Sequence, residues 1–258
     1  MNYLVIYPGR FHPFHKGHMA SYDWLTKQFG DNNVFVATSN VQAPITSPFS
    51  YSDKVAMMTK LGIPASRIAN VKNPYQAIEI TSSIPDENQR DTVLVFAVSA
   101  KDAERFNFAP KKDGSVSYLQ PLPKDAKKLK PMTEHGYVVI TPTINFKING
   151  VDANSASEIR KLYIKGNDHD KDQIIADLYG QPDPALRDIF DKKLGISKQA
   201  QTHIQESRNV KDIRVVDWMQ RVLVLERNAQ QQFEPAQQFL SESTTNFDYI
   251  DEKNHGQL

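Results

Sequence analysis

At 258 residues, with 40% hydrophobic and 24% charged side chains, the chain can build one large core, and disorder along its whole length is excluded. A formal net charge of +1 excludes a surface built as a whole to hold nucleic acid, although a local basic patch is compatible with it. Cysteine is absent, so no disulfide framework or thiolate metal site can form; no apolar run reaches the roughly 18 residues of a membrane span, and a cytoplasmic protein without signal peptide or membrane helix is expected.

In chain order, short β-branched and aromatic runs predict strands at residues 3–7, 34–38, 67–71, 92–98 and 137–141. Helices are predicted between them. Residues 16–29 place Met19, Tyr22, Leu25 and Phe29 at spacings of three or four, and residues 51–61 form the next helix. This alternation predicts an α/β sheet of parallel strands. Residues 109–133 break it with Pro110, Pro121, Pro123 and Pro131, and they gather lysines at 111, 112, 124, 127, 128 and 130. Two readings of this long loop stay open: a solvated excursion, or a basic flap over a phosphate-bearing ligand. Further helices are expected from Ser155 to near Gly166, at 170–179 and at 183–194, the last two closed by Gly180 and Gly195. The character changes after residue 196. A domain over 1–196 and an extension over 197–258 are expected, the latter with a helix at 210–227 and a polar tail where a second copy or an assembly partner would attach.

The residues that carry chemistry lie where strand gives way to helix. Residues 9–18, GRFHPFHKGH, join the first strand to the first helix, and a helix N-terminus beyond a strand end offers free N–H groups and a positive dipole to phosphate. Gly9 lets the backbone turn and approach a ligand. His15 and His18, three apart, share one face of the first turn and can address one phosphate. Late in the domain, Ser155 and Glu158 have capping-box spacing, which makes a second such N-terminus. There Ser155 and Ser157 offer hydroxyls, and Arg160 offers a fixed cationic fork. Ser52 and Asp53 are read as the start of the helix at 51–61.

On these residues the chain resembles the nucleotidyltransferases that carry the HxGH motif. The form GRFxPFHxGH is most similar to the archaeal-type nicotinamide-mononucleotide adenylyltransferases. Residues 154–162, NSASEIRKL, resemble the ISSTxIR signature of that superfamily, and residues 47–58, SPFSYSDKVAMM, resemble its NPFTxxER segment. The resemblance implies a Rossmann-like, doubly wound parallel sheet with a helical C-terminal extension. It also implies an enzyme that moves AMP or CMP from ATP or CTP to a small phosphorylated acceptor, nicotinamide mononucleotide first, with Mg²⁺ and release of pyrophosphate.

By the same resemblance His15, His18 and Arg160 are catalytic, while Gly9, Arg10, Phe11, Lys16, Gly17, Asp102, Ser155 and Ser157 hold the nucleotide. Pro48, Phe49 and Ser52 shape the acceptor site, and no protein side chains are assigned as metal ligands. Three departures stand out: His12 where many members have Asp or Gln, Asn154 and Ser157 for Ile and Thr, and no glycine-rich turn before Asp102. A class I aminoacyl-tRNA synthetase also carries a related motif, but the chain is short and has no KMSKS-like loop. The alternative from another class is a nucleotidyltransferase-like module serving as a structural or docking component of a larger assembly, such as a virus particle.

Overall fold

The computed structural model describes residues 2–43, 46–153 and 155–194. These lie within one compact unit, Met1–Ile196. The expected extension, with its helix at 210–227, lies outside the described residues, as does Asn154.

Strand β1, Asn2–Pro8, leads to helix α1, Lys16–Phe29, then to β2, Val34–Thr38, α2, Tyr51–Lys60, and β3, Ile68–Asn70. Two four-residue helices, α3 (Ile78–Thr81) and α4 (Asp86–Gln89), precede β4, Thr92–Val98, and a third, α5 (Ala100–Ala103), follows it. Next come β5, Leu119–Pro121, and β6, Gly136–Ile140. A hairpin of β7 (Lys147–Ile148) and β8 (Val151–Asp152) then leads to α6, Ala156–Lys165, α7, Asp168–Tyr179, and α8, Pro184–Lys193.

Six strands form one parallel sheet in the order β3-β2-β1-β4-β6-β5. The chain winds outward from β1 through β2 to β3, then returns to lay β4 on the other side of β1. That reversal opens a crevice at the carboxyl ends of β1 and β4, which is where open α/β sheets bind ligands. The strands are apolar on both faces, as a parallel sheet covered twice requires. Val5, Tyr7, Val93, Val95 and Ala97 pack under α1, α2, α6, α7 and α8, while Leu4, Ile6, Leu94, Phe96 and Val98 point the other way.

The doubly wound parallel sheet is thus as expected, with two differences. The third strand is shorter than the run 67–71, because Arg67 closes a 3-10 turn, Ala65–Arg67. The supposed structureless loop at 109–133 contains β5, which tolerates Pro121 because it pairs on one side only, at the edge of the sheet. Among the described residues no helix is long and apolar enough to cross a membrane.

Candidate active site

Beyond β1 the loop crosses the mouth of this crevice, and its own backbone is tied down at several points. The Gly9 amide donates to the Ala37 carbonyl (3.0 Å), and Thr38 Oγ1 to that of Arg10 (3.5 Å). The Tyr179 hydroxyl of α7 donates to the Phe14 carbonyl (2.9 Å). The His12–Pro13 peptide is cis, and Phe11 has φ 50°. The loop ends at His15, the N-cap of α1, whose Nδ1 accepts the His18 amide at 3.4 Å. This cap stacks the two imidazoles, with ring centroids 3.7 Å apart and planes at 26°.

Burial decides the charge of both rings. It holds His15 well below its ordinary 6.5, with the charges of His18 and Lys16 adding to the effect. It pushes His18 down to about 3, against the opposing pull of Asp102. The pair is therefore neutral at physiological pH, and because His15 Nδ1 accepts a bond, its proton is assigned to Nε2, free to donate. His18 Nδ1 is buried without a hydrogen-bond partner among the described residues. That nitrogen is left for a water or a ligand atom to satisfy.

The second motif arrives at the same loop. Ser155 caps α6 by accepting the Glu158 amide (3.3 Å), and its hydroxyl lies 3.0 Å from that of Ser157. One turn in, the Arg160 guanidinium donates through Nη1 to the carbonyl of His12. So Arg160 is tied to the same short loop that ends in His15 and leads into His18. Asp102 stands in α5, at the end of β4, close enough that its charge acts on His18. Burial alone would raise its pKa, but bonds from Arg105, Ser99 and Tyr75 outweigh this and keep the carboxylate ionised.

Residues 6–148, more than half of the chain, match the Cytidylyltransferase-like family. The chain belongs to that family. It is similar to a nicotinamide-nucleotide adenylyltransferase of Sulfurisphaera tokodaii, 25% identical over 192 residues that cover 72% of this chain and 96% of the relative. A protein of the same name from Saccharolobus solfataricus is 32% identical over 73 residues, 27% of this chain and 42% of the relative. Among solved structures, a bifunctional NMN adenylyltransferase/ADP ribose pyrophosphatase of Francisella tularensis, complexed with AMP and a manganese ion, aligns with 83% of this chain and 57% of its own. There the identity is 14% and the TM-score 0.41, and the match spans little more than half of that protein. By the family match and the Sulfurisphaera relative the protein is a nucleotidyltransferase, adenylyl- or cytidylyltransferase in kind, and neither gives the structural-module alternative support.

Within this nucleotidyltransferase several of the residues named from the sequence pack against other parts of the fold. A Cβ on Gly9 would fall 2.4 Å from the Phe11 ring, so the bare backbone there makes room for the loop's own phenylalanine. Phe11 is itself core, 7% exposed and edge-on to Phe14 and His18, and supports the imidazoles from beneath. Over Gly17 a Cβ would meet the Phe146 ring at 2.8 Å and the His15 ring at 3.2 Å, so that space holds aromatic side chains. Lys16 reaches the same ring, 5.4 Å from its centroid, and the Lys147 carbonyl at 3.5 Å. Arg10 is exposed, with its charge felt at His12 and Lys54.

Of the acceptor residues, Pro48 and Phe49 are buried, the latter packed on Phe190 with ring centroids 4.9 Å apart. Ser52 is exposed in the first turn of α2, and the cap is Ser50, paired with Asp53 in a capping box. The last residues of the supposed flap, 130–132, lie away from the site. The Met132 amide bonds to the carbonyl of Thr92, where β4 begins, and the Lys130 amide to the Tyr137 hydroxyl near the start of β6. That is the opposite end of the sheet from residues 9–18.

Sequence reading missed Phe146, which walls His15 at 4.9 Å, and Tyr75, which bonds Asp102. It also missed Lys54, fully buried with Nζ 2.6 Å from the Ser39 carbonyl and 3.2 Å from Thr38 Oγ1. Burial and the charge of Arg10 lower Lys54 to about 8. Lys54 alone left a trace: it falls on the arginine of the NPFTxxER pattern that 47–54 resembles.

Proposed function

We propose that the protein transfers a nucleotide from ATP, or alternatively CTP, to a small phosphorylated acceptor, nicotinamide mononucleotide first, releasing pyrophosphate. The observation that carries this is the tie of Arg160 to the short loop that ends in the stacked His15 and His18, at the mouth of the sheet crevice. In such a reaction an oxygen of the acceptor's phosphate attacks the α-phosphorus while the bond to the bridging oxygen of pyrophosphate breaks. The acceptor brings its own anionic nucleophile, so positioning and stabilisation of charge do most of the work. Neutral N–H groups of His15 and His18 donate to the α-phosphate as its equatorial oxygens gather charge. Arg160, with Ser155, Ser157 and the start of α6, holds the departing pyrophosphate.

Among the described residues no group of three or more His, Asp or Glu could hold a metal ion. A divalent cation, Mg²⁺ in this reading, fits as one carried on triphosphate oxygens and water, where it neutralises the leaving group. Asp102 is the nearby carboxylate. The names of the relatives in Sulfurisphaera and Saccharolobus favour ATP and nicotinamide mononucleotide over the other pairs. A coupled pyrophosphate assay with ATP or CTP and a series of acceptors tests the reading. Release with ATP and nicotinamide mononucleotide is expected, falling about 10²- to 10³-fold in His18→Ala as when one oxyanion donor is removed. Release from no pair, or unchanged turnover in a folded His18→Ala, would overturn it.

A further inference from the structure

His12 stands in the first signature where many members have Asp or Gln, and the structure gives it a place of its own. Its side chain is only 4% exposed. Its Nδ1 accepts the Phe49 amide at 3.3 Å, and the ring lies nearly parallel to that of Phe49, at 14° with centroids 6.2 Å apart. Its carbonyl takes the Arg160 guanidinium. One residue thus joins three parts of the fold: the loop that ends in His15, the segment that enters α2, and the second turn of α6.

We propose that His12 is a positioning residue, a neutral imidazole whose bond to the Phe49 amide locks the 9–15 loop to the start of α2. By that lock it holds His15 and His18 in register with Arg160. The Phe49 amide is buried and needs an acceptor, which an apolar ring of the same size could not supply. Protonation would remove the acceptor, and two features oppose it: burial first, then the charges of Lys54, Arg160 and Arg10, which together bring His12 down to about 3. Lys54 repeats the tie from the far side, through Thr38 Oγ1 to the Arg10 carbonyl. Only Pro13 and Phe14 separate His12 from His15, so slack at His12 reaches the imidazole pair within two residues.

The kinetic part of this inference rests on the proposed transfer; the structural part does not. Two variants separate them: His12→Leu removes the acceptor, and His12→Asn keeps one at the reach of Nδ1. In His12→Leu, kcat is expected to fall at least about tenfold with KM for ATP within roughly threefold, the mark of misplaced catalytic groups. Hydrogen exchange at the Phe49 amide should quicken by at least about tenfold with the loss of its bond. In His12→Asn both readings should return to within about threefold of wild type.

Equal Phe49 protection in wild type and His12→Leu overturns the proposal. So does an equal loss of kcat in both variants when both melt as wild type does. If wild type releases no pyrophosphate with any acceptor, the proposed function falls, and the exchange rates alone judge the lock. Should His12→Leu not fold, the imidazole nitrogen shifts of wild type decide: a protonated Nε2 with a bond-accepting Nδ1 upholds it, and the opposite tautomer overturns it.

Discussion

The two faces of the sheet are covered in different ways. On one, α1, α2, α6, α7 and α8, each of ten residues or more, bury Leu25, Met57, Ile159, Tyr163, Ile174, Leu178 and Phe190 completely or nearly so. On the other, α3, α4 and α5 have four residues apiece and leave a cavity of about 520 Å³ lined by Tyr75, Ile78, Leu94, Phe96, Tyr118 and Met132. The imidazole pair and Arg160 both belong to helices of the first face. Groups that must be held to fractions of an ångström stand on the elements with the most packing behind them.

The largest effects should separate these faces. Leu25→Ala, at a fully buried site between long elements, is expected to destabilise by about 3 to 5 kcal/mol, the upper part of the range for such truncations. Ile80→Ala, in a one-turn helix on the looser face and 7% exposed, should cost about 2 kcal/mol or less, because its surroundings can shift to fill the void. Urea unfolding of the two variants measures this. Equal costs would mean that both faces are packed alike.

The same contrast explains what could be read in the sequence. Long helices announce themselves by period and by caps, as Met19, Tyr22, Leu25 and Phe29 did in α1 and Ser155 with Glu158 did in α6. The N-cap of α7, Asn167, which forms a capping box with Asp170, lies three residues before the expected start at 170, where the apolar period has not begun. A four-residue helix such as α3 has no period to show, and a three-residue strand with Pro121 in it reads as loop. In the site, the spacing of His15 and His18 was visible because one helix turn joins them. Which side chains fill the space above Gly9 and Gly17 depends on Phe11 folding back and Phe146 arriving from about 130 residues away. Nothing local encodes the second.

Acid should sharpen the comparison next, because the well-packed face stores its histidines uncharged. His12 and His18 lie at about 3, and His15 well below 6.5. An imidazole with a folded pKa below its unfolded value adds stability that is complete above pH 6.5 and is lost as pH falls toward the folded value. Each of the three contributes a slope of about 1.4 kcal/mol per pH unit within that window. Between pH 6.5 and 4.5, where most carboxylates are still ionised, His12→Asn should reduce the slope by one such share. A slope unchanged in His12→Asn would mean that this imidazole takes up its proton in the folded protein.

The smallest effect belongs to the end of the sheet away from the crevice. A basic flap would make the lysines of 109–133 partners of the triphosphate, so that neutralising one would raise KM severalfold. The placement of Met132 against Thr92 and of Lys130 against Tyr137 puts residues 130–132 where strands begin, whereas phosphate groups belong where they end. Lys130 also pairs with Glu134 at 3.6 Å, both of them more than half exposed, and an exposed pair of this kind adds well under 1 kcal/mol. Lys130→Gln should therefore leave KM for ATP within about twofold and stability within about 0.5 kcal/mol. A severalfold rise in KM that vanishes at high salt would show instead that this segment reaches the nucleotide, and the division between the two ends of the sheet would not hold.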